Sequence, residues 1–345
     1  MQLRALTATF TGSGEAGCDD NARTRPRVVA RGCAAERSDQ LGRRLGPYEL
    51  LALLGEGGMA QVFLAEHTIM GRMVAIKQLA PSLSRLPDAH TLFLREARIA
   101  ASIRHPNIVD VYDFGCDLEG RPYYVMELAA GETLARRLVR GPLLTAQTFD
   151  TAIVLADAVA QIHDAGYVHR DIKSENVMMV RDGRRLVPKL IDFGIARRLH
   201  PDPDDPETRP EGSVVGTLRN MAPEQVTLDE IDERTDVWAL GVLIYEMIAA
   251  RLPFDEGATS RDEMVAIVTE PPRPLPEHAD PNLREIVEAC LSKDPSGRPA
   301  SADDLVERLR EAQAAYMYRR GFVPRGLRDA ERRNGAQVRR GITDA

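Results

Sequence analysis

Short apolar stretches at 48–55, 61–67 and 72–79 are separated by turn residues, and this pattern predicts a meander of three strands. The next stretch, 88–102, has helical character, with Ala97, Ala100 and Ile103 marking an inward side. Two further strand candidates, 109–114 and 122–128, bracket a turn at 115–120. From Gly131 onward the pattern becomes mainly helical, notably at 149–165, 235–250, 281–291 and 301–314. Strands first and helices later predict an α+β protein with two lobes: a small, mainly β N-lobe over 48–128 and a larger, mainly helical C-lobe over 131–313. A cleft is expected at the join, near residues 127–131.

The flanks lack that periodicity. Residues 1–47 are rich in Gly, Ala, Arg and Asp and read as a disordered leader, with order beginning at Pro47-Tyr48. The pattern would also tolerate a start further downstream. Residues 314–345 carry Arg319, Arg320, Arg325, Arg328, Arg332, Arg333, Arg339 and Arg340 with few apolar anchors, which predicts a flexible basic tail suited to acidic partners. The interval 200–212, rich in Pro, Asp and Glu, reads as a long loop of the mobile or functional kind.

Composition narrows the class. With 345 residues, 43% hydrophobic and 28% charged, the chain has an ordinary globular balance and enough interior for a sizeable core. A formal net charge of -7 argues against a dedicated nucleic-acid binder. Cys18, Cys33, Cys116 and Cys290 lie far apart with no CxxC pair, so reduced thiols are expected. No apolar run approaches the roughly 20 residues that cross a bilayer. The best candidate, 237–250, contains Glu246 and reads as a buried helix. No secretory core is visible at the amino terminus, so a soluble cytoplasmic protein is expected.

Candidate chemistry begins at Gly55-Glu56-Gly57-Gly58-Met59-Ala60, between the first two strands. Closely spaced glycines let backbone amides approach phosphate oxygens, although a glycine-rich hairpin is as often a plain turn. No Gly-Lys-Ser/Thr follows, which excludes a Walker loop, and the following strand is unlike a dinucleotide-binding arrangement. Val74-Ala75-Ile76-Lys77 can place an ammonium against α and β phosphates, with Glu96 on the next helix as its carboxylate partner. Arg95 and Arg98 beside Glu96 make an exposed salt bridge the rival reading. Backbone groups of Glu127 and Ala129 could pair with an adenine edge and Met126 would border the pocket, though a plain buried strand fits the same side-chain pattern.

The most informative stretch is Val168-His169-Arg170-Asp171-Ile172-Lys173-Ser174-Glu175-Asn176, followed by Ile191-Asp192-Phe193-Gly194. It offers what phosphoryl transfer from a magnesium nucleotide needs. Asp171 is the candidate base for an acceptor hydroxyl. Lys173, two positions on, can neutralise charge on the transferred oxygens. Asn176 and Asp192 supply the hard oxygen donors that suit magnesium. Burying these acidic groups with no cation would be expensive, which disfavours a purely structural cluster.

With those motifs, residues 48 to about 313 resemble the eukaryotic-type protein kinase domain, in its bacterial serine/threonine branch. Further matches are Met221-Ala222-Pro223-Glu224, Asp236-Val237-Trp238-Ala239-Leu240-Gly241 and Arg298. The resemblance implies a two-lobed kinase fold, ATP as donor with Mg2+ (or Mn2+), and serine or threonine hydroxyls of protein substrates as acceptors. Implied nucleotide-binding positions are Leu54, Gly55, Glu56, Gly57, Gly58, Met59, Ala60, Val62, Ala75, Lys77, Met126, Glu127 and Ala129. It further implies a Glu224–Arg298 pair, bracing of His169 and Arg170 by Asp236, and an activation segment over 192–224. Arg170 would clamp a phosphate on that segment, with Thr208 and Ser213 as the available hydroxyls and Thr217 contacting Asp171 and Lys173. Autophosphorylation by a dimer of two kinase domains goes with this reading.

Three positions depart from the family pattern. Ala60 stands at the third glycine of the phosphate loop, Ser174 replaces the usual proline, and Asn220 stands where an aromatic residue is common. The rival functions are a pseudokinase acting as a binding scaffold and a small-molecule phosphotransferase. The complete charged set disfavours the first, and the long segment before Glu224 disfavours the second.

Overall fold

The computed structural model describes residues 40–183, 185–193, 218–254 and 259–321, together with the backbone of 197–198. Its first part is a six-stranded antiparallel sheet in the order β1-β2-β3-β4-β6-β5. The strands are β1 (Arg44–Leu45), β2 (Tyr48–Glu56), β3 (Ala60–His67), β4 (Met73–Leu79), β5 (Val111–Cys116) and β6 (Pro122–Met126). Helix α1 (Pro87–Ser102) lies against one face.

The strands' period of two sorts their side chains. Val74, Ile76, Tyr123 and Val125 join Leu45, Tyr48, Leu50 and Phe63 on the face away from α1. Ala75, Leu79, Tyr124 and Met126 face α1 and pack with its Ala89, Phe93 and Ala97. Lys77 therefore shares the α1 side with Tyr124, its cross-strand partner.

Order begins earlier than the composition of residues 1–47 suggests. Arg44 and Leu45 pair with Glu49 and Tyr48, Leu45 is almost wholly buried, and Arg43 forms ion pairs with Asp117 and Glu119. One buried leucine and one paired arginine are enough to seat this edge strand. So short a segment carries no readable periodicity.

The larger lobe is built on α3 (Thr145–Asp164), α5 (Arg234–Ala249), α7 (Pro281–Cys290) and α8 (Ala302–Arg319), with the shorter α2 (Leu134–Leu138), α4 (Pro223–Thr227) and α6 (Ser260–Thr269) around them. Its central helix is α5, apolar on most of its surface, with Asp236 and Glu246 among the exceptions, and buried along nearly its full length, as such a pattern requires. Gly241 lets α5 approach α7 closely, since a methyl group there would overlap the Cys290 Cβ. Trp238 of α5 stacks on Phe254 with ring centroids 5.8 Å apart.

Helix α8 runs past the expected boundary at 313. Leu309, Ala312 and Tyr316 continue its inward stripe, and the Tyr316 ring lies 5.7 Å from that of Phe149 on α3. Arginine content had masked that apolar spacing. Among the described residues no helix is long and apolar enough to cross a membrane, and the two described cysteines, Cys116 and Cys290, are free thiols.

The helical lobe also holds strands that the sequence pattern did not predict: β7 (Gly131–Thr133), β8 (Tyr167–Val168), β9 (Val177–Asp182), β10 (Arg185–Leu190) and β11 (Arg197–Arg198). Sheet β10-β9-β7 lies beside the cleft and β8 pairs with β11. Arg181, Asp182, Arg185 and Lys189 break up the apolar signal, and Pro188 ordinarily argues against a strand.

Candidate active site

On the N-lobe side, β4 and α1 bring Lys77 and Glu96 into an ion pair. Lys77 Nζ also lies 2.9 Å from Asp192 Oδ1. Glu96 is nearly inaccessible, and Tyr124 OH donates to its Oε1 at 2.6 Å. Burial works against the Lys77 ammonium, yet Asp192 and Glu96 outweigh it and hold its pKa well above the ordinary lysine value. Burial likewise opposes ionisation of Asp192, but Lys77 prevails and brings that pKa down to about 2. Lysine ammonium and aspartate carboxylate are thus the forms present near neutrality. The buried pair excludes the exposed salt-bridge reading of Glu96.

On the C-lobe side, Asp171, Lys173 and Asn176 form one cluster. Lys173 Nζ lies 2.9 and 2.7 Å from the two Asp171 carboxylate oxygens. Asn176 Nδ2 donates to the Asp171 backbone oxygen and to Oδ2, each at 3.0 Å. Tied through its nitrogen, Asn176 presents Oδ1 as its remaining polar atom.

The β9–β10 hairpin unites the two clusters. Leu190 pairs with Val177, so the strand ends lie side by side and the next residues face each other. The Ile191 amide donates to the Asn176 carbonyl at 3.0 Å, setting Asp192 beside Asn176. Phe193 is buried, with its ring 5.3 Å from that of His169.

Above the cleft, Leu54, Met59, Val62, Leu128, Ala129 and Ile191 border the apolar group of Ala60, Ala75 and Met126. The chain thus gathers an apolar slot beside the charged centre, with Ile191 as a wall that motif reading missed. A Cβ added at Gly55 or Gly58 would meet no atom within 4 Å, so internal packing does not demand these glycines. Glu127 donates its amide to the Asp110 carbonyl at 2.8 Å, and its side chain pairs with Lys189 of β10.

The loop from His169 to Asn176 is held from beneath. Asp236 of α5 accepts from the amides of His169 at 2.7 Å and Arg170 at 2.8 Å, and His163 Nε2 lies 2.8 Å away. Arg170 has a φ of 68°, a left-handed conformation unusual for a side-chain-bearing residue, and the Asp236 contacts hold it there. Burial disfavours charge on both partners. Their mutual hydrogen bond outweighs it, raising the His163 pKa and lowering that of Asp236.

Gln225, which sequence reasoning passed over, accepts from the Ala222 amide at 2.9 Å and donates to the Arg170 carbonyl at 3.2 Å. Arg298 grips Glu224 with two bonds of 2.7 and 2.9 Å, and Thr235 Oγ1 adds a third at 2.9 Å. Of the departures, Ala60 is buried against the N-lobe core, and Ser174 Oγ donates to Glu246 Oε1 at 3.0 Å. Asn220 is buried as well. Gly194, Thr208, Ser213 and Thr217 lie outside the described residues.

Residues 48–309 match the family model for the protein kinase domain, and the chain belongs to that family. It is 40% identical over 271 residues to a probable serine/threonine-protein kinase of Streptomyces coelicolor, across 76% of this chain and 39% of that protein. It is 37% identical over 276 residues to the serine/threonine-protein kinase pkn2 of Myxococcus xanthus, across 78% of this chain and 33% of the relative. For the serine/threonine-protein kinase PknA of Mycobacterium tuberculosis the identity is 36% over 274 residues, across 78% and 62%. The chain thus spans between a third and a half of the first two relatives.

Proposed function

We propose that this chain transfers the γ-phosphoryl group of ATP to serine or threonine hydroxyls of proteins. The observation that carries the reading is the joining of two charged clusters, Lys77–Glu96–Asp192 and Asp171–Lys173–Asn176, beside one apolar slot. Adenine would lie in the slot and meet the Glu127 carbonyl, since the Glu127 amide is committed to Asp110. Gly55 and Gly58 leave room for phosphates under the β2–β3 turn. Lys77, held charged and aimed by Glu96, would grip the α and β phosphates.

The donor set suits magnesium, a hard cation taking oxygen ligands: an Asp192 carboxylate held ionised and the Asn176 Oδ1. When bound, the cation would screen the phosphate charge. Asp171 would orient the acceptor hydroxyl and receive its proton late in transfer. Lys173 would pass from Asp171 to the phosphoryl oxygens as their charge grows. The serine/threonine preference is supported by Lys173 and by the names of the relatives. Autophosphorylation at Thr208 or Ser213, read through Arg170, belongs to the same proposal.

The test is transfer of labelled phosphate from ATP to a panel of proteins and to the chain itself, with metal titrated and sites mapped by mass spectrometry. Label on serine or threonine is expected, lost on chelation and reduced at least about 100-fold in Asp192→Asn. Metal-independent labelling, or full activity in that variant, would defeat the metal assignment. ATP binding with no transfer to any acceptor would favour the scaffold reading.

A further inference from the structure

Among the groups around the cleft, Tyr124 is a buried polar side chain that neither the motifs nor the transfer steps use. Its hydroxyl meets Glu96 Oε1, the same oxygen that Lys77 approaches. Its ring lies 5.3 Å from that of Phe93, one turn before Glu96 on α1. Lys77 Nζ is 6.0 Å from the centre of the Tyr124 ring. One side chain of β6 thus touches α1 at two successive positions on its inward face.

From this geometry we infer that Tyr124 is a positioning residue: its hydroxyl holds the Glu96 carboxylate, and with it α1, in the orientation that aims Lys77 at the nucleotide phosphates. A carboxyl group has several lone-pair directions that lose water when buried, so a single ammonium leaves it under-satisfied. A second donor fixes its rotation. Tyr124 can serve because Lys77 and Tyr124 are opposed in adjacent strands, where side chains of paired positions share a face. A ring without the hydroxyl would still pack on Phe93 but leave the carboxylate free to swing.

The inference rests on the proposed phosphotransfer, and its test has an arm that needs no turnover. In the 345-residue chain, Tyr124→Phe keeps the ring and removes only the hydroxyl. Deuterium exchange over Pro87–Ser102 should quicken, with exchange over Arg234–Ala249 unchanged. In the transfer assay kcat should fall about 10-fold while the KM for ATP moves less than about 3-fold. In a Glu96→Ala background the same substitution should add no further loss, because the group it acts through is gone.

Unchanged α1 exchange in Tyr124→Phe overturns the inference. So does an equal loss of kcat in the Glu96→Ala background, and so does a lower thermal midpoint with kcat per folded molecule retained. A wild-type chain that transfers no phosphate defeats the functional reading instead, and the exchange arm still decides the role of Tyr124.

Discussion

The two halves of the cleft meet the same demand, holding charged groups in place, by different construction. Lys77 and Glu96 stand 19 positions apart on a strand and a helix, and their meeting depends on how α1 seats against the sheet. Asp171 and Asn176 are 5 positions apart in one loop, whose backbone is bonded to Asp236 on the most buried helix of the larger lobe. The Lys77–Glu96 half is a docking contact. The Asp171–Asn176 half is anchored in a core. Glu96 and Asp236 are both buried carboxylates, but Glu96 is met by two side chains that can turn with it. Asp236 holds two backbone amides, so displacing the loop would also require rearranging the main chain.

The largest expected effect comes from removing one charged group on each side. Asp171→Asn and Lys77→Met should each lower kcat about 1,000-fold while far-ultraviolet circular dichroism stays unchanged. Only Lys77→Met should also weaken nucleotide binding, read by titration calorimetry. Equal nucleotide affinity in the two variants would break the division of labour between the halves.

Next in size is stability. Asp236→Ala strands two backbone amides and His163, and should reduce the unfolding free energy by about 3 kcal/mol in denaturant titrations. Glu96→Ala should cost less, because α1 keeps its apolar seat. If Glu96→Ala were the more damaging, the contrast between a docked half and an anchored half would fail.

The smallest effect concerns Glu246, on α5 beneath Ser174. Burial lifts its pKa to about 7, Glu175 adds to the rise, and the Ser174 hydroxyl offsets part of it. A carboxyl that holds its proton more tightly when folded costs stability as pH climbs from the ordinary carboxylate range through that value. Glu246→Gln should therefore raise the thermal midpoint at about pH 8 and leave it nearly unchanged at about pH 4. A uniform shift at both values would mean that the gain is not linked to this proton.

Legibility followed the range of each interaction. The segment from His169 to Asn176 was readable because its chemistry is local, and short apolar stretches between turn residues announced a sheet. The β9–β10 hairpin was not readable, since its charged residues and Pro188 hide a strand stabilised by pairing. Gln225 and Tyr124 carried no motif signal. Residues on β6 alternate faces, however, so the position of Met126 toward the slot already placed Tyr124 on the same side.

The sequence by itself determined the family, the two-part division of elements and the identity of the charged groups, because these reside in residue type, local spacing and periodicity. Tertiary structure alone decided that Asn176 and Asp192 become neighbours, that Glu96 turns inward to Lys77 and Tyr124, and that Arg170 is held left-handed over Asp236. Those outcomes depend on strand register and on the desolvation of buried charges. Both are properties of elements in contact, and no single segment carries them.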